Sequence, residues 1–409
     1  SKIVSKDKVA LITGEEKIVP KNASYYCCTV EAMPIEKRVE LFPYVAAGLG
    51  GEKDNIDGPI NYSKLKPNAG LGLNLDLNKN STLEITLNPD FSQVEADSLQ
   101  LDVNNTFSLF FPERRTFFLD GADYFDTYEN LVHTRNIASP EYGLKLTGKA
   151  NQNTYGLVAA NDETTNFIIP RSLSSRVASI EGLESKVAIG RYRRDIFENS
   201  TLGALITDRR GKNYSNTVLS LDSTLRPTAQ DTISIQAMHS TSEYPNNIQT
   251  EHQQEAELND NSYVIEYQHN DRQWDWRLGY YDWGDDFRAD LGFVNRVDFK
   301  HMVATIGRTW RWDGDGFFSR IRFAADYDRT EDQSGLQLEE ETEFFVNMSG
   351  PLQSYLNGLF GSSETYWNGK YFDEQFNMIN VGFSPNPNLT LSSMIRYEDV
   401  VDFANTRLG

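Results

Sequence analysis

Long apolar runs are missing from this chain of 409 residues. No stretch approaches the ~20 consecutive apolar residues that a membrane-spanning helix needs. The sequence therefore excludes a helical membrane protein. It does not exclude a membrane β-barrel, because each strand of a barrel exposes only alternate side chains to lipid and is polar on average.

Basic residues and cysteines are also scarce. The chain has 39 Lys and Arg against 59 Asp and Glu, a formal net charge of −20, and no basic patch of the kind that binds nucleic acid stands out. Its two cysteines, Cys27 and Cys28, are adjacent, which disfavours relaxed disulfide geometry between them. No further metal ligands lie beside them. We therefore expect no nucleic-acid partner, no metal and no cofactor.

Apolar residues at every second position are the strongest pattern present. From Leu71 to Leu77 every second residue is leucine, and from Leu83 to Leu87 every second residue is again apolar. Turn-forming residues 78–81 separate the two runs, an arrangement that predicts a β-hairpin. No comparable helical periodicity is found. The alternation recurs near 233–238, 263–268, 274–281, 320–327 and 389–397.

The number and length of these runs indicate a membrane barrel. About 17 strands are predicted, most of them roughly 9–11 residues long, the length that crosses a bilayer at a tilt. Strands of soluble proteins are usually nearer ~5–6 residues. Short and long connections alternate, as in outer-membrane barrels. Long polar loops are expected near 48–68, 161–183, 241–261, 282–300, 328–337 and 361–375.

The sequence thus predicts an all-β, transmembrane, antiparallel up-and-down β-barrel in the outer membrane of a Gram-negative bacterium, with the lipid bilayer as a partner. Apolar positions should face lipid and the intervening polar positions the lumen. The residues expected to face lipid are Leu73, Ile85, Ile235 and Phe323. Those expected to face the lumen are Asp76, Glu84, Glu266 and Arg322.

Tryptophans are expected to mark the membrane boundary. All six follow residue 270, and four of them stand at predicted strand ends on the apolar side. Indole rings favour the membrane–water interface, where one edge is wet and the other apolar. The interface aromatics predicted in this way are Trp274, Trp276, Trp310 and Trp312.

The first predicted strand, about Val39 to Gly48, and the last, about Leu389 to Glu398, run in the same direction. A closed single-chain barrel normally has an even number of strands, so we expect about 18 or more in the complete protein and a truncated chain here. No secretory signal opens the sequence. Residues 1–37 are expected to be a periplasmic N-terminal segment, and residues 38–409 the barrel.

Between Asp90 and Tyr142 the alternation stops. Five phenylalanines cluster there with acidic and basic residues. A connection longer than ~15 residues without regular structure is usually functional or disordered, and so many aromatic residues argue against disorder. The segment is therefore expected to be ordered and functional.

The same segment resembles a known family. Residues 88–97, NPDFSQVEAD, and 110–123, FFPERRTFFLDGAD, are similar to the signature of a large family of uncharacterised bacterial outer-membrane β-barrels. These barrels typically follow a module similar to family-9 carbohydrate-binding domains. Residues 38–45, RVELFPYV, and 287–293, FRADLGF, also resemble that family, so the resemblance covers most of residues 38–409.

The resemblance implies an outer-membrane barrel but no settled biochemical role. The carbohydrate-binding module is missing from this sequence, and residues 1–37 resemble at most its tail. A carbohydrate-binding function that the module would bring is therefore in doubt for this chain.

Residues 91–141 are interpreted as a plug folded into the lumen, because a barrel of about 18 strands is too wide for wall side chains to fill. The alternative is a loop docked on the rim. Arg114 and Arg115 would need carboxylate or carbonyl partners. Carboxylates considered as partners are Glu95, Asp97, Glu113, Asp120, Asp76 and Glu84. The predicted plug and lumen residues are Asp90, Glu95, Asp97, Phe110, Phe111, Glu113, Arg114, Arg115, Phe117, Phe118 and Asp120.

No catalytic constellation is found, and we expect the protein not to be an enzyme. The five histidines lack ligand spacing, and neither a phosphate-binding loop nor a nucleophile elbow occurs. The leading hypothesis is a plugged or gated channel for solutes, with oligosaccharides as one candidate. The second is a scaffold or export component that anchors another protein at its loops or lumen. The weakest is a glycan-acting hydrolase with paired carboxylates among Asp90, Glu95, Asp97 and Glu113.

Overall fold

A computed structural model describes residues 38–48, 51–53, 60–62, 66–89, 104–312, 314 and 316–409. These residues belong to one unit, Lys37–Gly409. The predicted periplasmic segment 1–37 and the plug residues 90–103 lie outside the described residues. No helix in the described part of the chain is long and apolar enough to cross a membrane.

In the described part of the chain, seventeen strands form one antiparallel sheet, as the alternation predicted. Each strand pairs with the next along the chain, which is the up-and-down order. Short hairpins follow the first strand (Gly51–Lys53 with Ile60–Tyr62) and the last (Val401–Asp402 with Arg407–Leu408). The strands of the sheet are β1 Val39–Gly48, β2 Lys66–Asn78, β3 Ser81–Leu87, β4 Pro140–Ala150, β5 Asn153–Pro170, β6 Ser175–Ile196, β7 Ser200–Gly211, β8 Tyr214–Leu225, β9 Asp231–Glu243, β10 Glu257–Asn270, β11 Trp274–Trp283, β12 Phe299–Arg311, β13 Arg320–Glu331, β14 Gln337–Ser349, β15 Tyr355–Trp367, β16 Lys370–Asn386 and β17 Leu389–Glu398.

The pairing register places residues of similar exposure side by side on each face of the sheet. Ile235 of β9 lies opposite Ile265 of β10, and the adjacent Gln236 lies opposite Val264. Both isoleucines are exposed, whereas Gln236 and Val264 are buried. Because side chains alternate between the two faces of a strand, one face of the sheet is an exposed apolar surface and the other is covered.

The four residues expected to face lipid lie on the outward face of the sheet, and the four expected to face the lumen lie on the inward face. On the outward face, Leu73 lies opposite both the exposed Leu41 and Ile85, and Ile235 and Phe323 are exposed. On the inward face the polar residues find polar partners. The pairs are Asp76 with Thr82, Glu84 with Lys145, Glu266 with Arg277, and Arg322 with Asp275.

Two of the predicted long loops are wrong. In place of the loop at 161–183, β5 continues to Pro170 and β6 begins at Ser175. In place of the loop at 361–375, residues 368–369 form a tight turn between β15 and β16. The outward face of the sheet needs apolar residues only over the height that lipid would cover. Above that height the backbone pairing of a strand continues, but its outward side chains need not be apolar. The alternation therefore ends before the strand does.

The sheet curves around residues 104–139, which connect β3 to β4. Asn104 hydrogen-bonds Val401 just beyond β17, Lys145 of β4 donates to Phe117, and Gln236 of β9 accepts from the backbone of Glu129. One segment thus touches both ends and the middle of the sheet, which therefore forms a barrel wall around it. Within the described residues no pairing joins β1 to β17, and the wall is open along that seam.

The main hydrophobic core lies inside this wall. Apolar side chains from residues 104–139 pack on inward-facing apolar residues of β5 to β10 and on the loop between β11 and β12. Such burial stabilises by about 25 cal/mol per Å² of apolar surface removed from water. The core residues from the segment are Phe118, Phe125, Leu131 and Ile137, and those from the wall include Val158, Ile189, Leu205, Val218, Met238 and Val264.

Candidate functional site

The described segment 104–139 has little regular structure. It contains the short helix α1, Thr116–Leu119, and two turns of 3-10 helix, Ala122–Phe125 and Thr134–Asn136. Gly121, with a φ of 65°, joins the first two in the left-handed region that glycine enters without steric cost. Such short helices leave backbone groups without partners in the helix. Side chains from elsewhere satisfy several of these groups.

An ion pair within the segment holds its first turn. Arg115 donates from Nε and Nη2 to the two carboxylate oxygens of Glu113, at 2.8 and 2.6 Å, and also to the backbone oxygens of Thr134 and Ile137. Burial raises the pKa of Glu113, but hydrogen bonds from Arg115 and Thr134 outweigh it and bring the pKa to about 2. A carboxylate held ionised in this way does not suit the general acid that a hydrolase would need.

The wall binds the segment through Lys145 on β4. Its Nζ donates to the backbone oxygens of Phe117 and Asp120, both at 2.5 Å, and lies 2.9 Å from Glu84 Oε1 on β3. Three partners use all three donors of an ammonium group. Lys145 and Glu84 are both buried. A wall cation thus satisfies the carbonyl groups left free at the end of α1.

A second anchor is the ion pair of Arg209 on β7 with Asp162 on β5. The two side chains are 2.7 Å apart, and neither is exposed to solvent. Arg209 also donates to the backbone oxygen of Asn136, at 3.0 Å, while Asp162 accepts from the backbone N–H groups of Ala138 and Ser139. A buried ion pair needs such additional hydrogen bonds to offset its desolvation. The docked segment provides them.

Loop 284–298, between β11 and β12, is fixed to the same wall by Asp290. This carboxylate is buried and accepts hydrogen bonds from the hydroxyl groups of Tyr214, at 2.7 Å, and Tyr244, at 2.8 Å. The backbone N–H of Asp290 donates to Asn216. Burial raises the pKa of Asp290, and the two tyrosine hydrogen bonds oppose that rise. The loop is therefore bound to the wall and is not a free surface loop.

The segment and the loop also bind each other. Asn136 Nδ2 donates to the backbone oxygens of Asp290, at 2.9 Å, and Gly292, at 2.8 Å. A Cβ atom at Gly292 would stand 2.7 Å from the backbone oxygen of Asn130, so only glycine permits this close approach. Further backbone bonds join His133 to Leu291 and Phe293 to Asn130. We call residues 104–139 and 284–298 together the luminal insert.

A cavity of about 520 Å³ separates the luminal insert from the rest of the wall. Asn104, Phe107 and Arg296 line it on the insert side, and inward-facing residues of β14 to β17 on the other. Among the residues that the structure describes, no group of three or more His, Cys, Asp or Glu side chains is arranged to hold a metal ion. The glutamates on the far side, here called the acidic wall, are Glu339, Glu341, Glu343, Glu374 and Glu398.

The predicted plug residues fall into four groups. Asp90, Glu95 and Asp97 lie outside the described residues. Arg115 and Phe118 are buried, with the guanidinium 4.4 Å from the ring centre. Glu113 was one of the carboxylates considered for the arginines and does bind Arg115, whereas Glu84 binds Lys145. The half-buried residues are Phe111, Glu113, Arg114 and Phe117, and the exposed ones are Phe110 and Asp120.

The four predicted interface tryptophans lie at one end of neighbouring strands. Trp274 begins β11, and Trp310 lies one residue before the end of β12. Their rings flank the guanidinium of Arg308, at 4.7 and 5.0 Å. Trp276 stacks on His269, and Trp312 is exposed. They form an aromatic group on the side of the short connections.

Sequence reasoning missed two parts of this site, loop 284–298 and the acidic wall. The loop carried a signal, because Phe287, Ala289, Leu291 and Phe293 are too apolar for a solvated loop and surround Asp290. The acidic wall also had a signal in the sequence, because Glu339, Glu341 and Glu343 stand at every second position and so point to the same face of a strand. Neither signal shows which part of the molecule these residues contact.

We expect Glu129 to make the docking of the segment depend on pH. Burial raises the pKa of its carboxyl group to about 7, and the charge of Glu266 adds to the rise. A pKa above the unfolded value of about 4.3 means that this stabilising contribution is complete below pH 4.3 and is lost as the pH rises through 7. We expect Glu129→Gln to slow hydrogen exchange of residues 121–131 at pH 7.5 and to leave it unchanged at pH 4.

His133 also titrates in this pH range. Comparing the parent chain with Glu129→Gln at the same pH cancels the contribution of His133 to the stability of the segment. Burial lowers the pKa of that imidazole to about 4, so its stabilising contribution is present above pH 6.5 and is lost as the pH falls through 4, in both chains alike. Equal protection of the parent and the variant at pH 7.5 would contradict the role given to Glu129.

Comparisons with known proteins follow this geometry. The profile of a family described as Domain of unknown function (DUF5916) matches residues 35–179, which include β1 to β5 and the segment 104–139. A search of curated proteins gave no match.

Several solved structures of bacterial proteins are similar at low identity. OccK11 (OpdR) of Pseudomonas aeruginosa is 11% identical, with a TM-score of 0.38 over 87% of this chain and 86% of that chain. OccAB2 of Acinetobacter baumannii is 12% identical, with a TM-score of 0.38 over 88% of each chain. The outer membrane protein OpdK of Pseudomonas aeruginosa is 12% identical, with a TM-score of 0.34 over 88% and 89%. At these values the similarity bears on neither solute nor mechanism.

Proposed function

We propose that this chain is an outer-membrane channel of a Gram-negative bacterium and that solutes pass along the cavity between the luminal insert and the acidic wall. The observation that carries the proposal is the uneven filling of the lumen. One side is packed by the insert into a hydrophobic core. The other keeps a cavity of about 520 Å³, in which charged groups stand among apolar side chains such as Phe107, Leu338 and Phe376.

The outward face of the sheet supports a location in lipid. Large apolar side chains stand exposed along successive strands, which would be unfavourable over so wide a surface in water. The aromatic group around Arg308 fits the membrane–water interface. Apolar residues that form this band include Leu157, Ile206, Leu219, Ile265, Leu278, Ile306, Phe323, Phe344 and Phe360.

Residues 104–139 are proposed to act as the plug of this channel. Their anchors at Lys145 and Arg209 lie on β4 and β7, and the cavity lies across the lumen on β14 to β17. An insert whose buried anchors lie on one side, and which meets the other side at Asn104, narrows the passage without filling it. Solutes would therefore be limited in size by the gap and selected by the charge of the acidic wall.

Conductance in planar bilayers tests the proposal. A channel gives discrete conductance steps from the purified chain alone, and liposomes that contain it swell in sugars small enough to pass. A maltooligosaccharide series in the swelling assay tests passage of oligosaccharides. If the chain inserts and folds yet conducts nothing, the channel proposal fails, and the alternative of a scaffold for another protein takes its place.

The acidic wall should make the channel prefer cations. Carboxylates that line a narrow passage raise the local concentration of counter-ions. We expect the double change Glu341→Gln and Glu343→Gln to lower the potassium-to-chloride permeability ratio at least about twofold. Reversal potentials in a salt gradient measure this ratio.

Glu340→Gln is the matched control. This residue is on the same strand but on the opposite face, where it lies opposite Arg329. It should leave the permeability ratio unchanged. An equal loss of selectivity in the control, or none in the double variant, would show that solutes do not pass along this wall.

A further inference from the structure

We infer that the luminal insert contains a binding site for a small uncharged molecule that carries an aromatic ring and a hydroxyl group. The site is a cavity of about 270 Å³, separate from the passage along the acidic wall. The segment 104–139 and the wall residues Lys145 and Val158 line it. Binding there requires the insert but does not require that the chain conduct.

The size and the lining of this cavity suit an aromatic ring. An apolar cavity of about 150 Å³ already admits benzene, so 270 Å³ leaves room for a substituted ring. Phe110, Phe118 and Phe125 supply aromatic surface, and Leu131 and Val158 supply aliphatic surface. Aromatic rings pack favourably on one another in offset or edge-to-face contact.

Among the polar side chains that line this cavity, the imidazole of His133 lies in an aromatic surrounding. The residue exposes 9% of its surface, and its ring packs against Phe110 and Phe293 with centroids 5.1 and 5.4 Å away. Its ring nitrogens have no hydrogen-bond partner in the described part of the chain. These nitrogens are not fully enclosed by the protein, so a ligand hydroxyl placed in the cavity can reach the ring and form a hydrogen bond with it.

The charged groups that line the cavity disfavour a charged ligand. Glu113 is paired with Arg115, and the three donors of Lys145 are already used. Asp126 is an exposed residue whose pKa is raised by partial burial and by the charge of Asp123, while the charges of Arg193 and Arg191 oppose that rise. A charged ligand would lose its hydration here without gaining a partner. Neutral imidazole, in contrast, can donate to or accept from a hydroxyl group.

Phenol and toluene test the ring site and the hydrogen bond to His133 separately, because phenol carries a hydroxyl group where toluene carries a methyl group. The full-length chain is dialysed in detergent micelles against each probe, with protein-free micelles as the reference for partition. We expect saturable binding of both, with phenol bound about tenfold more tightly, the ratio that one hydrogen bond of ordinary strength gives. His133→Phe should remove this preference and leave the affinity for toluene unchanged.

A second variant tests the cavity without changing His133. Val158→Phe fills the cavity from the wall and leaves His133 in place, and it should abolish the binding of both probes. Heat-modifiable electrophoretic mobility reports whether each variant is folded. Absence of saturable binding to the folded parent chain would overturn the site. A preference for phenol that survives in folded His133→Phe would overturn the role of the imidazole.

Discussion

Replacing Ile235 by arginine should destabilise the barrel by about 2–4 kcal/mol, the cost of a basic side chain at the middle of the lipid-facing surface. Ile235 is exposed on β9, opposite Ile265 of β10. In lipid the guanidinium would lose water without gaining a partner. Urea unfolding of the chain in lipid vesicles, followed by tryptophan fluorescence, measures the change in the free energy of unfolding.

The control for this substitution is Ala229→Arg, in the exposed connection between β8 and β9. The added charge is the same, but the side chain stays in water, so the free energy of unfolding should change by less than about 0.5 kcal/mol. Equal values for the two variants would contradict a lipid-facing surface. The membrane location would then have to be abandoned, and the channel proposal with it.

Replacing Asp162 by alanine should release the segment 104–139 from the wall. The change leaves Arg209 buried and unpaired, and removing one partner of a buried ion pair costs about 3–5 kcal/mol. It also removes the acceptor for the backbone N–H groups of Ala138 and Ser139. We expect faster proteolysis of the segment, a larger single-channel conductance and an intact detergent-resistant barrel.

Asp208→Ala is the matched control, because Asp208 forms an ion pair with Arg210 on β7, the strand that also carries Arg209. That pair is exposed on its arginine side, and exposed pairs contribute only about 0–1 kcal/mol. Conductance and proteolysis should stay at the parent level. If Asp162→Ala loosens the segment but leaves the conductance unchanged, the segment does not limit the passage.

The strands could be predicted from the sequence because lipid imposes its pattern on each strand separately. Ile235 and Gln236 belong to opposite faces whatever the rest of the chain does. The predicted bounds Val39–Gly48 and Leu389–Glu398 match the structure residue for residue. The pattern fails where lipid no longer acts, which is why β5 was predicted to end too early and β6 to begin too late.

Contacts inside the lumen follow no such local rule. Glu113 was a foreseeable partner for Arg115 because the two residues are two positions apart. Asp162 and Arg209 are 47 positions apart, and 39 basic and 59 acidic residues offer many equally plausible pairs. The three-way meeting of Asp290 with Tyr214 and Tyr244 depends on how the sheet curves, which the sequence of one strand does not specify.

The interlocked halves of the luminal insert constrain the order in which the molecule assembles. The segment 104–139 precedes β4, its anchors lie on β4, β5 and β7, and the loop that clasps it follows β11. These contacts join parts of the chain that are far apart in sequence. We therefore expect the later strands to be added around a segment that has already folded against the earlier ones. A defect in the segment should consequently appear first as slow or failed insertion into the membrane, before any effect on transport.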